Sequence, residues 1–266
     1  TPIKSSAASD VYKRQDIGSA KVTEEEKEGI PHHLLDFKEV TEEYTIYHYQ
    51  KDCREKIKDI QSRNKTPILV GGTGLYIKAA LYDYKLSEEK STNTYDNLTN
   101  EELYEELKKL DKDIIIDKDN RRRLIRAINY YKENNESINK NKTNKLLYNV
   151  IFIGLTTDRQ VLYDKINKRV DEMISQGLLE EVKSFYDKGI KSKPLLNAIG
   201  YRELYNYLDG NCTKEEAIEK IKQNSRHYAK RQYTFFNHQL PVVWFETDYN
   251  NFNNTIEKVA SYIDSN

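Results

Sequence analysis

Thr66-Pro67-Ile68-Leu69-Val70-Gly71-Gly72-Thr73-Gly74-Leu75-Tyr76-Ile77-Lys78-Ala79-Ala80-Leu81-Tyr82 carries the clearest local signal in this chain. A short apolar run, Ile68–Val70, predicts a buried strand. The glycines that follow predict a tight turn, and residues 75–82 predict the helix after it. The turn places several backbone N–H groups and one hydroxyl at a helix N-terminus, a place that favours anions. The same glycines also suit a turn that needs them only for its dihedral angles, and the spacing leaves both readings open. The G-x-x-x-x-G-K-[ST] phosphate loop occurs nowhere in the sequence.

Working outward, residues 42–63 predict a helix with Tyr44, Tyr47, Ile57 and Ile60 on one face. After a polar connection at 83–98, Asn100 is a candidate cap for the helix EELYEELKKL. A second helix over about 120–133 carries RRRLIRAINYYK. VIFIGL at 150–155 predicts another buried strand, and Thr157 a cap for the helix at 158–175. A long helix is expected over 213–237, then a strand at VVWF, 242–245, and a last helix at 252–264. Strands alternating with helices define an α/β class with a parallel sheet. Residues 83–147 hold helices without a convincing strand, so they read as a helical insertion between core segments 16–82 and 148–266.

Composition narrows the function only a little. Among 266 residues, 43 Lys+Arg balance 43 Asp+Glu, so any polyanion-binding surface must be local. Cys53 and Cys212 are the only cysteines. They lack metal-ligand spacing, and a reducing cytoplasm is expected. No apolar run reaches membrane-spanning length.

Three clusters are candidates for chemistry. Arg121, Arg122, Arg123 and Arg126 crowd one helix, with Arg122 and Arg126 one turn apart and Leu124, Ile125 and Ile128 facing inward. Lys220 to Phe245 contains Lys220, Lys222, Arg226, Lys230 and Arg231 and no acid, with Tyr228, Tyr233, Phe235 and Phe236 interleaved. A surface for RNA phosphates and bases has this composition; so does a helix with core aromatics and solvated cations. His32 and His33 are adjacent, so they point apart; one packed, hydrogen-bonded ring beside an exposed one is expected.

These stretches together resemble the tRNA dimethylallyltransferases, or tRNA isopentenyltransferases. The matching pieces occur in order: DIGSAK at 16–21, PHHLLD at 31–36, ILVGGTGLYIKA at 68–79, RLIRA at 123–127, the Lys165…Arg169…Met173…Gly177 pattern, GYRE at 200–203 and AKRQ at 229–232. The resemblance implies a P-loop-NTPase-like α/β domain with a helical insertion that grips the anticodon stem-loop. It implies transfer of a dimethylallyl group from dimethylallyl diphosphate to N6 of adenosine 37 in tRNA, assisted by Mg²⁺, in a monomeric cytoplasmic enzyme without a membrane anchor. By the same resemblance Thr73 touches the tRNA beside the reacting base. Arg122, Arg123 and Arg126 contact tRNA, as do Ala198, Ile199, Gly200, Tyr201 and Arg202, and then Ser225, Arg226, His227, Tyr228, Ala229, Lys230, Arg231 and Gln232. Arg169 is suited to the diphosphate.

The departures lie near the N-terminus. The family's first strand, its phosphate loop with the metal ligands, and its Asp-Ser-x-Gln segment with the general base have no counterpart. Ala7 and Ala8 fall where the acid and serine belong, Asp10 is out of register, and Gln15 replaces a hydrophobic residue. Residues 1–15 are therefore expected to be a segment foreign to the family, leaving the chain without general base or metal ligands and inactive as written. A tRNA-binding remnant without chemistry is the alternative, and a nucleotide kinase of the same superfold a more distant one.

Overall fold

A computed structural model describes residues 2–4, 10–86, 95–139 and 145–266. The chain forms two units, Thr1–Lys78 with Asn149–Asn266 and Ala79–Tyr148.

In the larger unit, β1 (Pro2–Lys4) runs parallel to β2 (Ile68–Val70), with Ile3 opposite Leu69. Residues 2–4 thus enter the fold, although the sequence suggests a foreign segment there. Ala7 and Ala8 lie outside the described residues. The apolar run of β2 feeds through the glycine turn into α2 (Gly74–Leu81), and β2 is preceded by α1 (Ile46–Ser62). Helix α1 buries Tyr49, Cys53, Ile57 and Ile60, a stripe at helical spacing. A second parallel pair joins β3 (Ile153–Thr156) to β4 (Val243–Glu246). The alternation of elements predicts one parallel sheet; the described residues form two two-stranded ones. Ile68 and Val70 on β2 and Leu155 on β3 remain about half exposed.

Helices α5 (Arg159–Ser175), α6 (Leu178–Tyr186), α7 (Lys193–Asn197), α8 (Tyr201–Leu208) and α9 (Lys214–Gln239) form the helical half of this unit, and α10 (Phe252–Asp264) follows β4. Leu178, Val182, Phe185, Leu195, Tyr201, Leu204 and Ile221 are fully buried among them. Each large apolar side chain so buried contributes about 2 kcal/mol. Helix α9 starts on a capping box: Thr213 Oγ1 accepts from Glu216 N at 3.1 Å and the Glu216 carboxylate accepts from Thr213 N at 2.8 Å. It stops before Pro241, which pushes Leu240 to extended backbone (φ −138°, ψ 145°).

The smaller unit packs α3 (Asn100–Leu110) on α4 (Arg121–Asn134) around Leu103, Leu107, Ile114, Leu124 and Ile128. Arg121 donates to the carbonyls of Leu98 and Tyr95, which fixes the entry to α4. Arg122 and Arg123 are exposed on α4 and Arg126 is half-buried. Residues 87–94 and 140–144 of the expected connections lie outside the described residues.

Candidate active site

A cavity of about 1090 Å³ opens in the larger unit. One wall is the glycine turn, with Gly72, Thr73 and Tyr76. Another is the loop carrying Tyr12, Gly18 and Ser19. Residues 41–45 form a third, and the rest comes from α5, from Leu178 at the start of α6, from residues 192–202 and from α9.

Helix α9 sorts its side chains by helical period. Asn224, Ser225, Tyr228, Arg231 and Gln232 line the cavity. His227 and Lys230 are exposed on other faces. Arg226 turns to α5: its guanidinium donates to Asn167 Oδ1 at 2.6 Å and to Glu219 at 3.2 Å. Lys222 likewise pairs with Asp171 at 2.7 Å. Several aromatics of this basic segment belong to the packing. Tyr233 stacks on Trp244 with centroids 5.2 Å apart and its hydroxyl meets Thr156 Oγ1 at 2.8 Å. Phe235 lies over Gly74, where a Cβ would come within 2.2 Å of its ring. Tyr228 is the aromatic that faces the cavity, with its hydroxyl 3.3 Å from Thr73 Oγ1.

The 198–202 segment divides too. Ala198, Ile199, Gly200 and Arg202 line the cavity. Tyr201, grouped with the RNA-contacting residues by resemblance, is wholly buried and its hydroxyl donates to Glu181. In this fold its side chain packs inward rather than lining the cavity. Arg202 is held from behind by Glu203, which is 5% exposed; the Glu203 carboxylate also accepts from Gly200 N at 2.8 Å and Asn224 Nδ2 at 2.7 Å. Arg169, exposed on α5, lines the same cavity. Arg169, Lys193, Arg202 and Arg231 thus oppose two lining carboxylates, Glu42 and Glu43. Glu42 is already engaged by Lys38 at 3.0 Å and by Glu39 N at 2.6 Å. A cation-rich rim with several hydroxyls suits a phosphorylated substrate.

Tyrosines add to the polar lining. Burial pushes the Tyr12 phenol up to about 12, and burial also raises Tyr44 and Tyr76. All three stay protonated at neutral pH, so they donate hydrogen bonds and serve as no base. Asp10 is buried and is not among the lining residues.

The DIGSAK stretch is held by its own Lys21 and by Glu181, which no local pattern singles out. Lys21 Nζ, with a side chain 4% exposed, donates to Tyr12 O at 2.9 Å, to Asp16 at 2.8 Å and to Asp36. Glu181 accepts from the backbone N–H groups of Asp16, Ile17 and Gly18. The histidine pair departs from the expected one-packed, one-exposed arrangement. Both rings are half-buried. His32 Nδ1 meets Ile30 O at 2.8 Å, while His33 has a buried Nε2 without a partner among the described residues. Among the described residues, no group of three or more His, Cys, Asp or Glu is placed to hold a metal ion.

Fold and cavity define an α/β protein with a cation-rimmed cavity beside a basic helix. Comparison with known proteins narrows that class. The model of the IPP transferase family matches residues 10–239, which takes in Asp10–Gln15 as well. A tRNA dimethylallyltransferase of Anoxybacillus flavithermus is 48% identical over 264 residues, covering 96% of this chain and 85% of the relative. The crystal structure of a full-length tRNA isopentenylpyrophosphate transferase from Bacillus halodurans is 39% identical with a TM-score of 0.75, over 99% of this chain and 87% of that one. A eukaryotic dimethylallyltransferase, crystallised acting on tRNA, is 26% identical with a TM-score of 0.85 over 97% and 70% of the two chains. The chain belongs to the IPP transferase family.

Proposed function

We propose that this chain transfers a dimethylallyl group from dimethylallyl diphosphate to N6 of adenosine 37 in tRNA, gripping the anticodon stem-loop as a cytoplasmic monomer. The observation that carries the reading is the convergence of Thr73, Arg169, Arg202, Tyr228 and Arg231 on one cavity, in a chain 48% identical to a tRNA dimethylallyltransferase. An exocyclic amine is a weak nucleophile, so the base must leave its stack and the departing diphosphate must be stabilised. Arg169 is the cation for the diphosphate, joined by Arg202, which the resemblance groups with the RNA contacts but which lines the same cavity. Thr73 and Tyr228 offer hydroxyls beside the base, and Arg231, Lys230, Arg122, Arg123 and Arg126 meet the RNA backbone. No described helix is long and apolar enough to cross a membrane.

Mg²⁺ is the metal the resemblance implies. Among the described residues the lining carboxylates do not make a site for it, since Glu42 is engaged within the protein and Glu43 alone remains.

The test is incubation with dimethylallyl diphosphate and an anticodon stem-loop bearing adenosine 37, read by mass spectrometry of the RNA. The expected result is an added dimethylallyl group on that base. Tight, salt-sensitive stem-loop binding without transfer would instead support a tRNA-binding protein without chemistry.

A further inference from the structure

Glu181 lies on α6, outside every motif that marks the site, yet it is the meeting point of two cavity walls. Its Oε2 accepts from Asp16 N at 2.9 Å and Ile17 N at 2.8 Å; its Oε1 accepts from Gly18 N at 3.0 Å and from the Tyr201 hydroxyl. Three consecutive backbone N–H groups thus converge on one carboxylate, an arrangement that otherwise captures free anions. Gly18 and Ser19, at the end of this clasp, line the cavity, and so do Gly200 and Arg202 on either side of Tyr201.

We propose that Glu181 is a positioning residue that locks the Asp16–Ser19 loop to the start of α8 and so sets the spacing of those two walls. Gly18 sits so close to Tyr201 that a Cβ would fall 2.4 Å from its ring, so the loop is seated against a buried side chain as well as bonded to Glu181. The loop has no regular strand or helix to hold it. Lys21 anchors its far end through Asp16, Asp36 and the Tyr12 carbonyl, and Ala20 between them adopts a left-handed backbone (φ 47°). Such a conformation persists in a non-glycine residue when surrounding contacts enforce it. A carboxylate is the required chemistry because all four partners are donors. Glutamine of the same size presents an NH₂ to some of them and has nothing to accept with there.

The consequence for catalysis rests on the proposed prenyl transfer, and the test separates the two. Amide hydrogen exchange is measured on the full chain and on E181Q and Y201F, alongside kcat and KM for transfer to the stem-loop. In E181Q the amides of residues 16–18 are expected to exchange about tenfold faster or more while the buried amides of α4 and α9 keep their rates. Transfer kcat/KM is expected to fall about tenfold through kcat, with stem-loop affinity within about twofold, because the RNA-facing cations are untouched. Y201F keeps the ring and three of the four donors, so it is expected to show the same pattern at smaller amplitude. Unchanged exchange at 16–18, or faster exchange throughout the chain, would overturn the positioning role in favour of no role or a merely structural one. Locally faster exchange with unchanged kcat would overturn its link to the reaction. Absence of transfer by the unsubstituted protein counts against the functional reading alone, since exchange still decides the clasp.

Discussion

Gln232 donates from Nε2 to the carbonyl oxygen of Gly72 at 2.9 Å, so the middle of α9 is bonded to the turn that presents Thr73. The glycines of that turn are explained by this approach. A Cβ at Gly72 would fall 2.0 Å from Gln232 Nε2, and one at Gly74 2.2 Å from Phe235 Cδ1. The two positions differ in what must yield. Gln232 is a flexible side chain and can swing away, at the loss of one hydrogen bond worth about 1 kcal/mol. Phe235 is a packed ring, and overpacking costs about 1–3 kcal/mol. Gly74→Ala is therefore expected to lower stability to denaturant more than Gly72→Ala. The reverse order would mean that the amide, not the ring, governs the contact.

Arg231 and Arg226 are five residues apart on α9 and are expected to respond differently. Arg231 lines the cavity rim, exposed, with its guanidinium 5.7 Å from the Tyr228 ring centroid. Arg226 is committed to Asn167 and Glu219. Each phosphate contact contributes about 0.9 to the slope of log affinity against log salt for duplexes and about 0.7 for single strands. Arg231→Gln is expected to reduce the slope for a stem-loop by roughly one such contact. Arg226→Gln is expected to leave the slope alone and lower the melting temperature. Equal slopes for Arg231→Gln and the parent protein would remove Arg231 from the RNA surface.

How much of this was legible before the structure differs between elements and site. The β2–turn–α2 unit follows from an apolar run meeting glycines, and α9 from a long period with a clear stop at Pro241. Helix starts were less certain because capping residues stand side by side. Thr99 rather than Asn100 caps α3, since it completes a capping box with Glu102, and Asp158 rather than Thr157 caps α5, since its carboxylate reaches Gln160 N and Val161 N. For the site, one-dimensional motifs cannot tell which side of α9 each cation takes. Arg226 and Lys222 became bridges to α5 because Asn167 and Asp171 stand opposite them. Tyr201 was invisible as a buried partner of the 16–18 loop for the same reason: Glu181, to which its hydroxyl donates, also binds residues 16–18, more than 160 positions away. Long-range pairing of this kind leaves no local pattern.

Cys53 and Cys212 are expected to separate cleanly by reactivity. Cys53 has no exposed surface on α1, and burial pushes its thiol up to about 11. Cys212 is half-buried near the end of α8, with Asn206 Nδ2 3.4 Å from its sulfur. Because the thiolate is the reactive form, a thiol reagent at pH 8 is expected to titrate one group in the native protein and two after denaturation. Cys212→Ser is expected to abolish the native signal. A persistent native signal in that variant would place Cys53 within reach of solvent.

His33 gives the stability a defined pH dependence. Burial holds its pKa below the ordinary value of 6.5, and the charges of Lys56 and Arg63 push it the same way. Above that ordinary value the ring is neutral in both folded and unfolded chains and contributes nothing. As pH falls through it, the unfolded chain takes up a proton that the folded chain resists, so stability declines until the folded value is also passed. His33→Gln is expected to lose less stability than the parent protein between pH 7 and pH 5, measured by urea denaturation at each pH. Parallel pH profiles would show that His33 protonates freely in the fold.

Gln15 marks a place where the chain carries a removable cost. The side chain has no exposed surface, and neither amide atom finds a hydrogen-bond partner among the described residues. Its backbone carbonyl accepts from Ser19 Oγ at 2.5 Å. A buried amide without partners costs about 1–3 kcal/mol relative to an apolar group of the same shape. Methionine has nearly the same length and no polar terminus, so Gln15→Met is expected to stabilise the fold by about 1 kcal/mol and raise the melting temperature by about 2–4 °C. The gain is expected to leave stem-loop affinity unchanged, since Gln15 does not line the cavity. A loss of stability on substitution would show that the amide is hydrated or bonded in solution and is itself part of the loop's support.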